Sequence, residues 1–126
     1  MDKKRILIID DIAALSQMYV IYLNSKGFET AHASDGASGI AMVKDFRPNA
    51  VLLDVMMPGM NGVEVLRQFR NNPETKDLPV ILLTAIGDPS VEKEAIELGA
   101  SAYLEKSETD LAGLLTKLQT VLAPAK

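Results

Sequence analysis

Several residue types and patterns are missing from this chain of 126 residues, and each absence excludes a class of protein. The chain has no cysteine, which excludes a disulfide-stapled domain and a thiolate metal site. No apolar run approaches the roughly 18 residues that a membrane-spanning helix requires, and the N-terminus lacks the features of a signal peptide. We therefore expect a cytoplasmic protein that does not enter the membrane.

An excess of positive charge is also missing. With 13 basic and 17 acidic residues, the chain has a formal net charge of −4. A domain that binds nucleic acid through a basic face usually carries the opposite net charge. The composition thus predicts no direct contact with nucleic acid.

Short apolar runs alternate along the chain with longer segments of helical periodicity. Several runs are almost continuously apolar, which is typical of parallel strands that are covered on both faces. The alternation predicts an α/β fold, with a doubly wound sheet in one domain that spans residues 1–126. The predicted strands are 5–9, 28–33, 50–54, 79–85 and 102–106, and the clearest helical segments are 12–26, 61–72 and 108–122.

Local signals mark where several helices begin. Asn61 and Glu64 have the spacing of a capping box, in which each side chain bonds to the backbone N–H of the other residue. Asp88 followed by Pro89 is typical of an N-cap and a first helical position. In the first helical segment, the apolar face is predicted to begin at Ile12.

Polar side chains end four of the five apolar runs. Asp10 and Asp11 follow the first run, Asp54 ends the third, Thr84 the fourth and Lys106 the fifth. Ligands of doubly wound sheets bind at the carboxyl ends of the strands. We therefore expect these five side chains to share one crevice.

Three carboxylates in one crevice require a compensating positive charge. Two carboxylates about 4–5 Å apart repel each other by roughly 3–4 kcal/mol at an effective dielectric of about 20, so such a cluster takes up protons or binds a cation. A small site with oxygen ligands favours Mg²⁺. A carboxylate beside a cation and an ammonium group is also suited to attack phosphorus, which predicts the formation of an aspartyl phosphate.

Four motifs in order along residues 4–122 carry a family resemblance. They are the acidic pair in LIIDD, the aspartate in VLLDVMMPGMNG, the hydroxyl in LLTA and the lysine in AYLEK. Together they resemble the receiver domain of bacterial two-component response regulators, among them the single-domain chemotaxis regulator. The resemblance implies a (βα)5 flavodoxin-like fold, with five parallel strands in the order 2-1-3-4-5.

The resemblance also implies a metal site around a phosphoacceptor. Asp54 matches the residue that accepts the phosphoryl group. Asp11 and Asp54 match direct ligands of Mg²⁺, Asp10 matches a ligand that acts through water, and the backbone carbonyl of Met56 matches a third protein ligand.

Three further positions match the part of the family that responds to phosphorylation. Thr84 and Lys106 would each bind a phosphoryl oxygen, and Tyr103 matches the switch aromatic. Phosphorylation would draw Thr84 inward and let the Tyr103 ring move into the vacated space. The surface of the fourth helix, fifth strand and fifth helix would then change.

The implied partners and activity are those of a signalling switch. A sensor histidine kinase or a histidine phosphotransfer protein would donate the phosphoryl group near the first helix, and an unidentified output domain or partner would read the surface change. The domain would be no enzyme toward an outside substrate and would catalyse only its own phosphorylation and dephosphorylation. Met56 and Ile86, at the positions that influence water access, have no polar side chain, so we expect slow hydrolysis.

Other interpretations of single residues stay open. Asp10 and Asp11 alone are consistent with a helix cap, and Asp54 with a turn. His32 is interpreted as a structural or exposed residue away from the site. The family usually has proline after the lysine, but this chain has Ser107, which with the acid three residues later is predicted to help cap the last helix.

Three other classes of protein compete with the receiver interpretation. The first is a pseudo-receiver, which uses the same fold as a phosphorylation-independent binding module. The second is a flavin-binding flavodoxin relative, which Asp10 and Asp11 disfavour because they would repel an anionic phosphate. The third is a hydrolase with an aspartyl-phosphate intermediate, which the residues after Asp54 do not match.

Overall fold

Five parallel strands form the central sheet of the structure, a computed structural model that describes residues 3–123. Their order is β2-β1-β3-β4-β5, which confirms the predicted doubly wound sheet and strand order. Residues 1, 2 and 124–126 of the predicted domain lie outside the described part. The strands are β1 (Arg5–Ile9), β2 (Glu29–Ala33), β3 (Ala50–Asp54), β4 (Val80–Thr84) and β5 (Ala102–Glu105).

Each strand is followed by a helix. The predicted capping box is present, because the Glu64 backbone N–H donates to the Asn61 side chain and the Asn61 N–H donates back to Glu64. The Asp88 side chain caps the next helix, which begins at Pro89. The helices are α1 (Ala13–Ser25), α2 (Gly36–Phe46), α3 (Gly62–Asn71), α4 (Pro89–Glu97) and α5 (Leu111–Leu122), with a 3₁₀ turn at Lys106–Glu108 before the last.

The three central strands, β1, β3 and β4, are buried on both faces, which explains why they are so continuously apolar. Along β1, Leu7 and Ile9 belong to one core cluster with residues of α3 and α4, whereas Ile6 and Ile8 belong to a second with residues of α1 and α5. Helices therefore cover both sides, and the strand ends are the part of the sheet left open. Within residues 3–123, no helix is long and apolar enough to cross a membrane.

Two local predictions are wrong. Ile12 precedes α1 and is 48% exposed, so the buried face of that helix begins further along the chain. Ser107 does not cap α5, since it lies in the 3₁₀ turn. The other residue of that prediction, Asp110, is the cap, and its carboxylate accepts a 2.7 Å hydrogen bond from the Gly113 N–H.

The two ends of α4 are held by different contacts. Beyond its carboxyl end, the Arg70 guanidinium of α3 donates to the carbonyls of Leu98 at 2.7 Å and Gly99 at 3.0 Å. At its amino end, the Asp88 N–H donates to the Tyr103 hydroxyl of β5 at 3.3 Å. Among the described residues, half-buried Arg70 thus holds one end with two hydrogen bonds, and one hydrogen bond of 3.3 Å reaches the other.

Candidate functional site

Four strands deliver polar side chains to the same edge of the sheet. Asp10 directly follows β1, Asp54 ends β3, Thr84 ends β4, and Lys106 follows β5. Asp11 is exposed beside Asp10. One carboxylate oxygen from each of the three aspartates lies within 4.8 Å of the other two. The Lys106 ammonium lies 3.3 Å from an oxygen of Asp10 and 3.4 Å from one of Asp54.

Asp10 is buried, and its carboxylate is held at both oxygens. Oδ1 accepts a 2.9 Å hydrogen bond from the Ile12 N–H, and Oδ2 accepts one of 3.3 Å from Lys106 Nζ. This carboxylate does not cap α1, because the cap position is Ile12 and has no side-chain hydrogen bond. Because it faces Lys106, it forms part of the acidic cluster instead.

Asp54 is only 4% exposed, and its two oxygens differ. Oδ1 accepts from the Met56 N–H at 3.3 Å and lies 3.4 Å from Lys106 Nζ. Oδ2 accepts no hydrogen bond from any described residue. Every fully buried side-chain oxygen among those residues has a partner, so Oδ2 is not fully buried and is open to solvent. The carboxylate therefore presents one oxygen to an incoming group.

Burial raises the pKa of Asp54 to about 6, although Lys106 opposes the shift and Asp10 adds to it. Burial alone would lower the pKa of Lys106, but the negative charges of Asp10 and Asp54 outweigh it, so this pKa is raised. The Lys106 ammonium thus contacts two of the three aspartate side chains in the cluster. The donor set consists of closely spaced oxygens with a net negative charge, which fits a hard divalent cation such as Mg²⁺.

Thr84 and Tyr103 make their hydrogen bonds in the loop between β4 and α4. The Thr84 hydroxyl donates to the Ile86 carbonyl at 2.9 Å and accepts from the Ile86 N–H at 3.3 Å. The Tyr103 ring is half-buried, and its hydroxyl accepts from Asp88. In this structure both side chains contact the loop that leaves the site and make no hydrogen bond to the acidic cluster.

Sequence reasoning missed an inner layer under the acidic cluster. His32 does not lie away from the site as expected, because its Nε2 is 3.1 Å from the Asp10 carbonyl oxygen. Buried Ser16 of α1 donates to the same oxygen at 3.3 Å. No sequence pattern pointed to this contact, because it depends on the register that pairs Ile8 of β1 with His32 of β2. Burial also raises the pKa of Tyr19 in α1, close enough to Lys106 for that ammonium to oppose the shift.

Comparison with known protein families identifies the family that has this arrangement of residues. The model of the response regulator receiver domain matches residues 6–119.

The chain belongs to the response regulator receiver family.

A receiver domain is a signalling module of two-component systems, in which response regulators work with histidine kinases and output domains.

Solved structures support this assignment over the full domain. The chemotaxis protein CheY4 of Vibrio cholerae superposes with a TM-score of 0.90 at 30% identity, covering 96% of this chain and 100% of that one. A response regulator from Chloroflexus aurantiacus, itself described as putative, gives a TM-score of 0.89 at 31% identity and covers 98% and 100% of the two chains. The receiver fold is therefore shared along the whole described sheet.

Curated relatives are longer than this receiver. The DNA-binding response regulator MtrA of Mycobacterium leprae is 40% identical over 104 residues, which is 82% of this chain and 45% of that protein. The response regulator PleD of Caulobacter vibrioides is 38% identical over 107 residues, 85% of this chain and 24% of that protein. The chain thus spans less than half the length of these relatives. Because MtrA is named as DNA-binding, the expectation of no direct contact with nucleic acid is not supported.

Proposed function

We propose that this receiver is a phosphorylation-activated switch in which Asp54 accepts a phosphoryl group from a phosphohistidine donor. The observation that carries the proposal is the unequal state of the Asp54 oxygens. Oδ1 is held by Lys106 and by the Met56 N–H, whereas Oδ2 is open. A carboxylate fixed at one oxygen presents the other as an oriented nucleophile.

The proposed transfer forms one bond and breaks another. Oδ2 of Asp54 attacks the phosphorus, a P–O bond forms, and the P–N bond to the donor imidazole breaks, after which that nitrogen takes up a proton. The Lys106 ammonium, 3.4 Å from Oδ1, is placed to move to a phosphoryl oxygen and neutralise its charge. Asp10, which already contacts Lys106 at 3.3 Å, would keep the ammonium within the site.

The proposed metal site shares the Asp54 carboxylate with the proposed transfer. Asp11 and Asp54 would hold Mg²⁺ directly with the backbone carbonyl of Met56, and Asp10 would act through water. When bound, the ion would neutralise charge on the cluster and on the transferring group. The support is the spacing of the three carboxylates, which lie within 4.8 Å of one another.

The proposed response begins at Thr84. To bind a phosphoryl oxygen, its hydroxyl must leave the Ile86 carbonyl, which it contacts at 2.9 Å. The loop between β4 and α4 would shift, the Tyr103 ring would move inward, and its hydroxyl would leave the Asp88 N–H. The α4-β5-α5 surface would then change and control an output domain or partner protein.

The proposed donor is a sensor histidine kinase or a histidine phosphotransfer protein in the cytoplasm, which would dock near α1. Three large apolar side chains are exposed there or at the adjoining strand end, namely Ile12, Met18 and Ile21. Exposed apolar side chains beside a polar site are typical of a protein-binding surface.

The proposed phosphoryl group is lost slowly. Met56 and Ile86 are 57% and 70% exposed, and neither has a polar side chain to orient water. We expect hydrolysis over minutes or longer, and we expect Met56→Asn to accelerate it. Loss from the wild type within seconds, or an unchanged rate in the variant, would contradict this part of the proposal.

Intact mass after incubation with acetyl phosphate tests the proposal, with and without Mg²⁺. We expect one phosphoryl addition in the wild type that requires Mg²⁺. Asp54→Ala should abolish it, whereas Asp45→Ala, which removes an exposed carboxylate of α2, should not. If neither acetyl phosphate nor a histidine-phosphorylated donor protein modifies the wild type, the pseudo-receiver interpretation replaces the proposal.

A further inference from the structure

The backbone of Asp10 has hydrogen-bond partners at both its N–H and its carbonyl. Its N–H donates to the Ala33 carbonyl of β2 at 3.1 Å and continues the sheet ladder. Its carbonyl leaves the ladder and receives two side-chain donors, Ser16 Oγ at 3.3 Å and His32 Nε2 at 3.1 Å. A carbonyl can only accept, so His32 must carry a hydrogen on Nε2.

The carbonyl of Asp10 belongs to the peptide that joins the two adjacent acids. Rotation about the Cα–C bond of Asp10 would turn this carbonyl and carry the Cα–Cβ bond of Asp11 with it, while leaving β1 in place. Asp11 is exposed, and its carboxylate makes no hydrogen bond to any described residue. The backbone therefore sets the direction of its Cα–Cβ bond, and the two donors on the Asp10 carbonyl hold the peptide that precedes it.

We propose that His32 and Ser16 are positioning residues that fix the Asp10–Asp11 peptide and thereby aim the Asp11 carboxylate at the cation site. This inference rests on the proposed function, because it assumes that Asp11 binds the cation. The two donors come from different elements, β2 and α1, so the peptide is tied to both. Partners that orient metal ligands typically contribute about 10–100-fold in metal affinity.

The test compares four single variants that differ in which hydrogen-bond donor they remove or keep. His32→Leu removes the ring donor, and His32→Gln keeps an amide N–H at a similar reach. Thr30→Val is the matched control, because Thr30 lies two residues earlier on the same face of β2 and its hydroxyl donates to Asn24, not to Asp10. Ser16→Ala removes the second donor and remains available if His32→Leu does not fold.

The first measurement is made without metal. The ¹³C chemical shift of the Asp10 carbonyl reports its hydrogen bonds, and loss of a donor moves it upfield. We expect that shift in His32→Leu and Ser16→Ala, and no shift in Thr30→Val. An unchanged carbonyl resonance in both donor-deleted variants would overturn the positioning inference and leave the proposed function standing.

The second measurement is the Mg²⁺ dissociation constant from calorimetric titration. Because the donors act through the backbone, we expect His32→Leu to raise this constant by about 3–10-fold, less than the usual effect of a direct partner of a metal ligand. His32→Gln should stay within about twofold of the wild type, and Thr30→Val should match it. Phosphorylation by acetyl phosphate should slow in His32→Leu at low Mg²⁺ and recover at saturating Mg²⁺.

Each other outcome counts against the inference. Equal Mg²⁺ affinity in His32→Leu and wild type, equal losses in His32→Leu and Thr30→Val, or a His32→Gln variant that behaves like His32→Leu would each overturn it. If the wild type itself binds no Mg²⁺, the proposed metal site is wrong and the inference falls with it.

Discussion

Replacing Asp54 with asparagine should stabilise the receiver at neutral pH in the absence of metal. Asparagine has nearly the shape of the neutral acid, so the substitution removes the charge and leaves the packing intact. The Asp54 pKa is raised from 3.8 to about 6, chiefly by burial, so the folded state disfavours the charged form. A shift of about two units corresponds to at most about 3 kcal/mol.

The measurable gain should be smaller than that limit. Exposed Asp11 and the open Oδ2 connect the cluster to solvent, and solvent screens the interaction. We therefore expect Asp54→Asn to raise the free energy of unfolding by about 1–2 kcal/mol at pH 7.5. For a domain of this size, that corresponds to roughly 3–8 °C in Tm.

The pH dependence follows from the direction of the shift. The folded-state pKa of about 6 lies above the unfolded value of 3.8. Below the unfolded pKa the carboxyl group is neutral in both states, so it does not lower the free energy of unfolding. The loss of stability grows as the pH rises from the unfolded pKa through the folded pKa, and it is complete above the folded pKa. The advantage of Asp54→Asn should thus be close to zero at pH 4 and reach its full value by pH 7.5.

Urea unfolding followed by circular dichroism, in buffer without divalent cations, measures this difference. Asp45→Asn is the control, because Asp45 is exposed on α2 and its replacement should change stability by less than about 0.5 kcal/mol. A variant that is less stable than the wild type at pH 7.5, or one whose gain is equally large at pH 4, would refute the reasoning.

Three further predictions concern stability and are measured by the same urea titration. Gly62→Ala should cost about 2–4 kcal/mol, because a Cβ there would lie 2.5 Å from the Asp54 carbonyl oxygen and 2.8 Å from Val55 Cα; a neutral effect would contradict this packing. Asn61→Ala should cost about 1 kcal/mol through loss of the capping box, and an unchanged midpoint would argue against it. Arg70→Met should cost about 1–3 kcal/mol, because carbonyls beyond α4 lose their donors, whereas full stability would mean that water replaces the guanidinium.

The sequence was sufficient to place the acidic cluster because the cluster depends on strand ends. Continuously apolar runs identified the parallel strands, and parallel strands present their carboxyl ends at one edge. Asp10, Asp54 and Lys106 therefore meet, whatever the details of the loops. The strand order came from the family resemblance, since periodicity does not determine which strands are neighbours.

Other features depend on contacts between distant segments. His32 reaches the Asp10 carbonyl only because of the register between β1 and β2, and Ser16 only because α1 packs over that strand end. The exposure of Ile12 reflects where α1 begins, and boundaries are uncertain by a few residues in any pattern-based prediction. The orientation of the Thr84 hydroxyl depends on its side-chain rotamer, which a local hydrogen bond to Ile86 fixes.

The unequal attachment of α4 has a mechanical consequence. The helix has nine residues and is about 14 Å long. Because Arg70 holds the carboxyl end of the helix, the helix can pivot near Leu98, and its amino end at Asp88 then moves farthest. A rotation of about 10° around that pivot moves the amino end by about 2 Å, given this length. Breaking one hydrogen bond at Tyr103 would in this way be amplified into a displacement large enough for another protein to detect.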